Sequence, residues 1–315
     1  MSKKFLIIDS SFLAYRSYFA YPSLQNQYNI YTGAIFGFAK TVLQLTYKIN
    51  PDYLVFTHDL QEPTFRHKAL DQYKGNRKPM EDNMVSQMVL ISNFANSITK
   101  NNFAVSGYEA DDVIYSVVSD HNKDDNQFYI VSGDKDLFQL FAFDNVSFVT
   151  EERDYVILFG KNEFVNKYNL EPSQWLDYKA LLGDSSDNFA GVDGIGKITA
   201  TKILQECGNL YTLTKKLGMN TDIFVPVSFK NNVNDFINNP KNTKLLDKIK
   251  ANQEILNLSY KLSKLAHCSY KDNAKEFDIH DFSLSLDLLT ELDMISLIKY
   301  YNTYFGSKLL QTELF

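Results

Sequence analysis

Through its first half the chain alternates short apolar runs with stretches of helical spacing, and it then turns wholly helical in texture. Phe5–Ile8 is an unbroken apolar run ending at Asp9, the pattern of a strand buried on both faces. Helical spacing follows over about Gly33–Lys48, then a second strand, Tyr53–Phe56, ends near Asp59. The stretch from Phe65 to Asn101 is rich in charged and amide side chains. Its second part, Glu81–Thr99, carries Met84, Met88, Ile91, Phe94 and Ala95 at helical spacing. Phe103–Val105 predicts a third strand, Glu109–His121 a helix, and Phe128–Val131 a fourth strand. Val146–Val149 and Tyr155–Leu158, flanking a polar turn, predict a hairpin. Strands alternating with helices imply a mostly parallel sheet with crossover helices.

From about Glu171 the pattern is helical only. Pro172 suits the first turn of a helix containing Trp175 to Leu182. Gly191, Gly194 and Gly196 open a helix over Lys197–Glu206, and long amphipathic helices are predicted over Thr243–Leu265 and Leu284–Tyr301. There is no fixed-period repeat and no low-complexity tract. The change of texture divides the chain into an α/β part, 1–170, and a helical part, 171–315.

Composition narrows the classes. With 315 residues, 44% of them hydrophobic, the chain can bury a sizeable core, which excludes a wholly disordered protein. Its longest early apolar run is too short for a signal peptide or a membrane span, so a cytoplasmic protein is expected. Cys207 and Cys268 form neither a disulfide framework nor a metal-ligand spacing, which suits a reducing compartment.

The candidate chemistry lies in carboxylates at strand ends, where open α/β sheets gather their working groups. Asp9 ends the first strand and Asp59 lies just past the second. Glu109, Asp111 and Asp112 follow the third, and Asp134 and Asp136 follow the fourth. Seven carboxylates on one edge repel one another without cations, and an oxygen-only set suits hard ions, Mg2+ or Mn2+. Asp184 and Asp187 add a pair in the helical part. Taken singly, each has a structural explanation: a turn former, a helix cap, a first-turn acid favouring the macrodipole. Their shared position at one sheet edge is what points to function. The net charge of −6 at first argues against a nucleic-acid partner, but setting these nine carboxylates aside moves the balance to +3.

Four segments, Val55–Asp59, Gly107–Val113, Asp134–Leu137 and Gly183–Asn188, followed by Gly191-Val192-Asp193-Gly194-Ile195-Gly196, resemble the bacterial 5′→3′ exonuclease and flap endonuclease family. That family includes the amino-terminal nuclease module of DNA polymerase I. The order and spacing match from Asp9 to the closing helices.

The resemblance implies a PIN-like sheet flanked by helices with a helical arch over about 65–101. After it would come an all-α region whose helix-three-turn-helix spans about 183–206. It also implies a two-ion site held by Asp9, Asp59, Glu109, Asp111, Asp112, Asp134, Asp136, Asp184 and Asp187, with ions about 3.5–4 Å apart stabilising an in-line displacement. Lys74, Arg77 and Arg16 would act on the scissile phosphate. Tyr73 would stack on a base or support the arch. Gly191, Gly194, Gly196, Lys197, Thr199 and Lys202 would contact DNA, with a K+ ion held by loop carbonyls. One departure stands out. Relatives often read Gly-Ile-Gly-x-Lys-Thr-Ala, whereas here Ile198 stands at the lysine position and Lys197 one residue earlier, about 100° around the helix.

The expected partners are 5′ flaps, nicked or gapped duplex, single-stranded 5′ ends and RNA primers on DNA, bound by a monomer. The chain ends soon after the closing helices, which fits a stand-alone exonuclease. Competing classes are a non-catalytic DNA-binding protein and a small-domain RNase. Clustered negative charge facing phosphate argues against the first, and the second leaves Asp184–Lys202 without a role. His58 stands where relatives carry an aromatic, and a hydrogen-bonded role is favoured over a ligand. His67, His121, His267 and His280 show no ligand pattern.

Overall fold

A computed structural model describes residues 2–305 apart from 124, 153, 154, 228, 230–232, 272 and 273. Six strands, β1 (Lys4–Asp9), β2 (Tyr53–Thr57), β3 (Asn102–Phe103), β4 (Gln127–Val131), β5 (Val146–Glu152) and β6 (Tyr155–Phe159), form one sheet. Its order is β3-β2-β1-β4-β5-β6, parallel throughout except for the final β5–β6 pair. The expected hairpin forms, and the two residues at its turn lie outside the described residues.

The central strands are apolar on both faces because both faces are covered. Phe5, Ile7, Val55, Phe128 and Ile130 enter one core, and Leu6, Ile8, Leu54, Phe56 and Val131 enter the other. On the second face lie α1 (Ser10–Ala20), α2 (Gly33–Ile49) and α4 (Asp82–Ile98), with α3 (Phe65–Ala69) between the last two in sequence. The first face is covered by α5 (Ala110–His121) and by helices of the second half. These begin with α6 (Lys161–Tyr168), α7 (Trp175–Leu182), α8 (Lys197–Cys207) and α9 (Leu210–Lys216).

Helix α1 is not legible in the sequence. Its buried face is Ser10, Leu13, Ala14 and Ser17, and the two serines disguise the apolar period. The arch segment, 65–101, runs through α3, consecutive turns over 71–77, and α4, in which Met84, Ile91, Phe94 and Ala95 are buried as their helical spacing predicts.

Further on come α10 (Val233–Asn238), α11 (Thr243–Ala251), α12 (Gln253–Ser263), α13 (Leu286–Glu291) and α14 (Ile295–Tyr304). Each long helix expected here is two. Asn252 separates α11 from α12, its amide donating to the Lys248 carbonyl at 2.9 Å and so competing with the ladder. Asp293, at φ 59°, breaks α13 from α14. Phe282, Leu289, Leu297, Tyr301 and Phe305 return to the core beneath α2 and α4, across the sheet from α7 and α8. Among the described residues no helix is long and apolar enough to cross a membrane.

One buried acid ties α7 to α9. The Asp177 carboxylate accepts from Leu210 N at 2.9 Å, and burial pushes its carboxyl up to about 7, the Leu210 donor opposing. The unfolded value is the lower one, 3.8, so the stability this proton confers is complete below pH 3.8 and lost as pH rises through 7. Asp177→Asn keeps the acceptor and removes the charge. Thermal unfolding in EDTA is expected to match the parent near pH 4 and to exceed it at pH 8, with an upper bound of about 4 kcal/mol. Equal Tm at pH 8 would show that Asp177 is ionised without cost.

Candidate active site

The sheet order reverses between β1 and β4, and in doubly wound sheets the crevice lies outside the carboxyl ends at that switch point. Asp9 ends β1 there, and Asp134 lies three residues past β4. They line a cavity of about 560 Å3 together with Asp59, Glu109, Asp111, Lys74, Arg77 and Tyr15.

Local structure fixes each carboxylate. Asp9 caps α1, accepting from Phe12 N at 3.0 Å, and its second oxygen accepts from Ser132 Oγ at 2.8 Å. Asp59 is exposed and accepts from Ala110 N at 2.9 Å. Glu109 is the N-cap of α5, which sets Asp111 in the first turn of that helix. Asp134 accepts from Asp136 N at 2.7 Å.

Their charges divide into two groups. Among the described residues Asp9, Asp59, Asp111 and Asp134 carry no ion pair. Burial first, then Asp59 and Asp134, push the Asp9 carboxyl up to about 7 against its Phe12 and Ser132 donors. Burial likewise raises Asp111, with Asp134, Asp9 and Asp59 adding to it.

The other five carboxylates are matched by cations of the chain. Lys74 Nζ lies 2.6 Å from Glu109, Arg77 Nη2 2.7 Å from Asp187, and Lys179 Nζ 2.9 Å from Asp136 and closer still to Asp184. Burial pushes Asp136 up to about 7 in spite of Lys179. At Asp184 burial is outweighed by Lys179 and Ser186, which hold it down at about 2. Among the described residues no three carboxylate, imidazole or thiol groups close around a point as a finished cage.

Two expected roles are corrected. Asp112, expected as a metal ligand, is fully buried with both oxygens spent: Arg66 holds it bidentately at 2.6 and 2.9 Å, and Glu109 N and Ala266 N donate to it. No lone pair of this carboxylate is left for the crevice. Tyr73, expected either to stack on a base or to support the arch, is 3% exposed and has no face open to a base. Its hydroxyl donates to Asp187 at 2.9 Å and Glu109 at 3.1 Å, so it supports the turn segment from below. Lys74 occupies the left-handed region, φ 55°, where its N–H donates to the Asp187 carbonyl at 2.9 Å. Arg16 is exposed on α1, beside Tyr15, outside the cavity lining.

The loop before α8 is placed by glycine. A Cβ on Gly191 would lie 2.2 Å from the Leu182 carbonyl carbon, so this position needs glycine for packing against the end of α7. Gly194 takes φ 70°, and Lys248 Nζ reaches the neighbouring Asp193 carbonyl at 3.5 Å. Gly196 is exposed at the N-cap of α8. Lys197, Lys202 and Ile198, itself 89% exposed, line a second cavity of about 980 Å3 with Asp184, Lys179, Lys135 and Lys167. Thr199 is half-buried and does not line it.

His58 pairs with Asn102 at 3.1 Å, and burial lowers its pKa, consistent with the hydrogen-bonded role. His67 caps α3, His121 lies 5.1 Å from the Phe5 ring, and His267 pairs with Asp120. The His280 side chain lies outside the described ones. Burial pushes the Cys207 thiol up to about 12, away from nucleophilic use. Sequence reasoning missed Arg66 and Lys179. The signal available for Lys179 was a charge in an otherwise mostly apolar helix, Trp-Leu-Asp-Tyr-Lys-Ala-Leu-Leu.

A doubly wound sheet places its working groups at the switch point, and carboxylates gathered there suit divalent-ion chemistry. Residues 4–169 match the family model for the 5′-3′ exonuclease N-terminal resolvase-like domain, and residues 170–285 match that for its C-terminal SAM fold. The chain belongs to the 5′–3′ exonuclease family. It is 36% identical over 209 residues to a 5′-3′ exonuclease of Mycoplasmopsis pulmonis, covering 66% of this chain and 68% of the relative. To the thermostable DNA polymerase I of Thermus thermophilus it is 34% identical over 260 residues, 82% of this chain but only 28% of the polymerase. The fold is shared with the bacteriophage T5 5′-exonuclease bound to zinc ions (TM-score 0.62, 22% identity, 84% of this chain and 90% of that one). It is also shared with the catalytic core of Rad2 in complex with a DNA substrate (TM-score 0.57, 16% identity, 97% and 88%).

Proposed function

We propose that this protein is a 5′→3′ exonuclease with structure-specific flap endonuclease activity, leaving 5′-phosphate ends during RNA-primer removal and DNA repair. The observation that carries this reading is the cavity where four carboxylates without a paired cation among the described residues face Lys74 and Arg77. The donor set fits hard divalent ions: oxygen ligands only, with Asp9 and Asp111 held against desolvation and mutual repulsion that a cation would relieve. Asp9, Asp59, Glu109, Asp111 and Asp134 would hold one ion, and Asp136, Asp184 and Asp187 a second. Bound there, Mg2+ or Mn2+ supplies Lewis-acid stabilisation of charge on the attacking and leaving oxygens.

The chain's own groups do the positioning. Lys74, with its ammonium set by Glu109 and by the Tyr73 ring 5.1 Å away, and Arg77 on the rim draw the scissile phosphate toward the carboxylates. Arg16, exposed beside the cavity, meets the adjoining strand. The region from 171 onward grips duplex through the α8 N-terminus and its loop, while the 1–170 edge cuts. A K+ ion at the loop carbonyls would share the Asp193 oxygen with Lys248. The same reading takes the protein to be a cytoplasmic monomer.

A 5′-labelled flap substrate with and without Mg2+ tests the activity. Short labelled products are expected only with the ion, and an intact substrate with Mg2+ and with Mn2+ would overturn the proposal. Grip is tested by changing Lys197 and Lys202 together to Ala. Affinity for every duplex-containing substrate is expected to fall alike, with the salt slope reduced by up to about two. Unchanged affinity and slope would remove both lysines from the interface.

A further inference from the structure

Lys179 is 8% exposed and lies on α7, at the lining of the second cavity. Its ammonium sits between Asp136, at 2.9 Å, and Asp184, so that one cation bridges two carboxylates from different halves of the chain. Asp136 follows the fourth strand, and Asp184 closes the turn after α7. We infer that Lys179 is a built-in cation occupying the place of the second divalent ion, so that this ion binds only by displacing the lysine from Asp136 and Asp184. The inference rests on the metal reading above and deepens it.

Three observations carry it. The contrast between the two carboxylate groups is the first: the four at the switch point have no paired cation among the described residues, whereas Asp136 and Asp184 share one. The second is geometric. A lysine bridging two carboxylates at hydrogen-bond distance fills the space between them, and an ammonium and a divalent ion cannot both occupy it. The third is an escape route. Lys179 and Asp184 both line the cavity of about 980 Å3 that opens toward α8, which gives the flexible side chain a path away from Asp136. A first ion then enters the open group freely, and a second arrives at the cost of an ion pair. Site occupancy is thereby graded: the crevice keeps a partly neutralised, folded second site at low metal concentration and loads it only when the ion outcompetes the lysine.

Lys179→Met keeps the length and apolar stem and removes the charge, and Lys179→Arg keeps the charge. Mn2+ binding to the full chain, counted by electron paramagnetic resonance and calorimetry, gives a readout independent of cleavage. Expected for the parent is one strong ion and a second much weaker one, with the second tightening about tenfold or more in Lys179→Met, the scale of losing a competing charge at contact distance. Lys179→Arg is expected to stay like the parent, which separates charge from a general packing defect. A second ion bound equally by the parent and by Lys179→Met overturns the inference and leaves the metal reading standing. No Mn2+ bound by any of the three proteins overturns the metal reading and the inference with it.

Discussion

Asp134→Asn, and equally Asp111→Asn, is expected to lower single-turnover cleavage by about a thousandfold or more while DNA binding survives. The loss of one coordinating oxygen removes several kcal/mol of transition-state stabilisation, and each 1.4 kcal/mol or so is tenfold in rate. Ground-state affinity depends on phosphate contacts elsewhere, so it moves little. The fold has reason to tolerate the change. Asparagine at 134 still presents an oxygen to Asp136 N, and a negative charge disappears from a place where Asp134 raises both Asp9 and Asp111. Thermal stability in EDTA is therefore expected to stay level or rise. Rates within about tenfold of the parent at saturating Mg2+ would remove these residues from the metal set.

The largest effect on stability is expected at Arg66, a residue with no claim on the substrate. Arg66→Ala strands the fully buried Asp112 without its bidentate partner and leaves the Leu262 and Lys264 carbonyls without the Nε and Nη2 donors now at 2.8 and 3.1 Å. Breaking a buried ion pair from one side costs about 3–5 kcal/mol, which corresponds to a fall in Tm of roughly 6–15 °C for a chain of this size. Arg66→Lys is expected to recover only part, because an ammonium cannot span both Asp112 oxygens and two carbonyls at once. Calorimetry in EDTA reads the effect without interference from metal. A drop of a degree or less would mean that the Asp112 site relaxes to admit water.

Much of the site is legible in the amino-acid sequence, for a local reason. Asp9, Asp59 and Asp134 are placed by the apolar run that each one follows, and a strand's end needs no knowledge of its neighbours. Glu109 and Asp111 are placed by helical spacing over the next twelve residues, which is equally local. The parallel sheet follows from alternation of the two periods, although the strand order, and with it the switch point between β1 and β4, does not.

What the sequence alone determined was thus the secondary elements with strong periods and the residues at their ends. Which cation meets which carboxylate depended on how the folded chain closes. Arg66 and Asp112, Lys179 and Asp136, and Tyr73 and Asp187 come from elements whose pairing depends on chain closure, and a period carries no information about closure. The tertiary structure also decided that Tyr73 is buried, that α1 is a helix with serines on its inner face, and that the closing helices return to the sheet face opposite α7 and α8. The physical reason is range. Hydrophobic periodicity is set by neighbours three or four residues apart, whereas the desolvation and pairing of a charge are set by whatever the folded chain brings within about 4 Å of it.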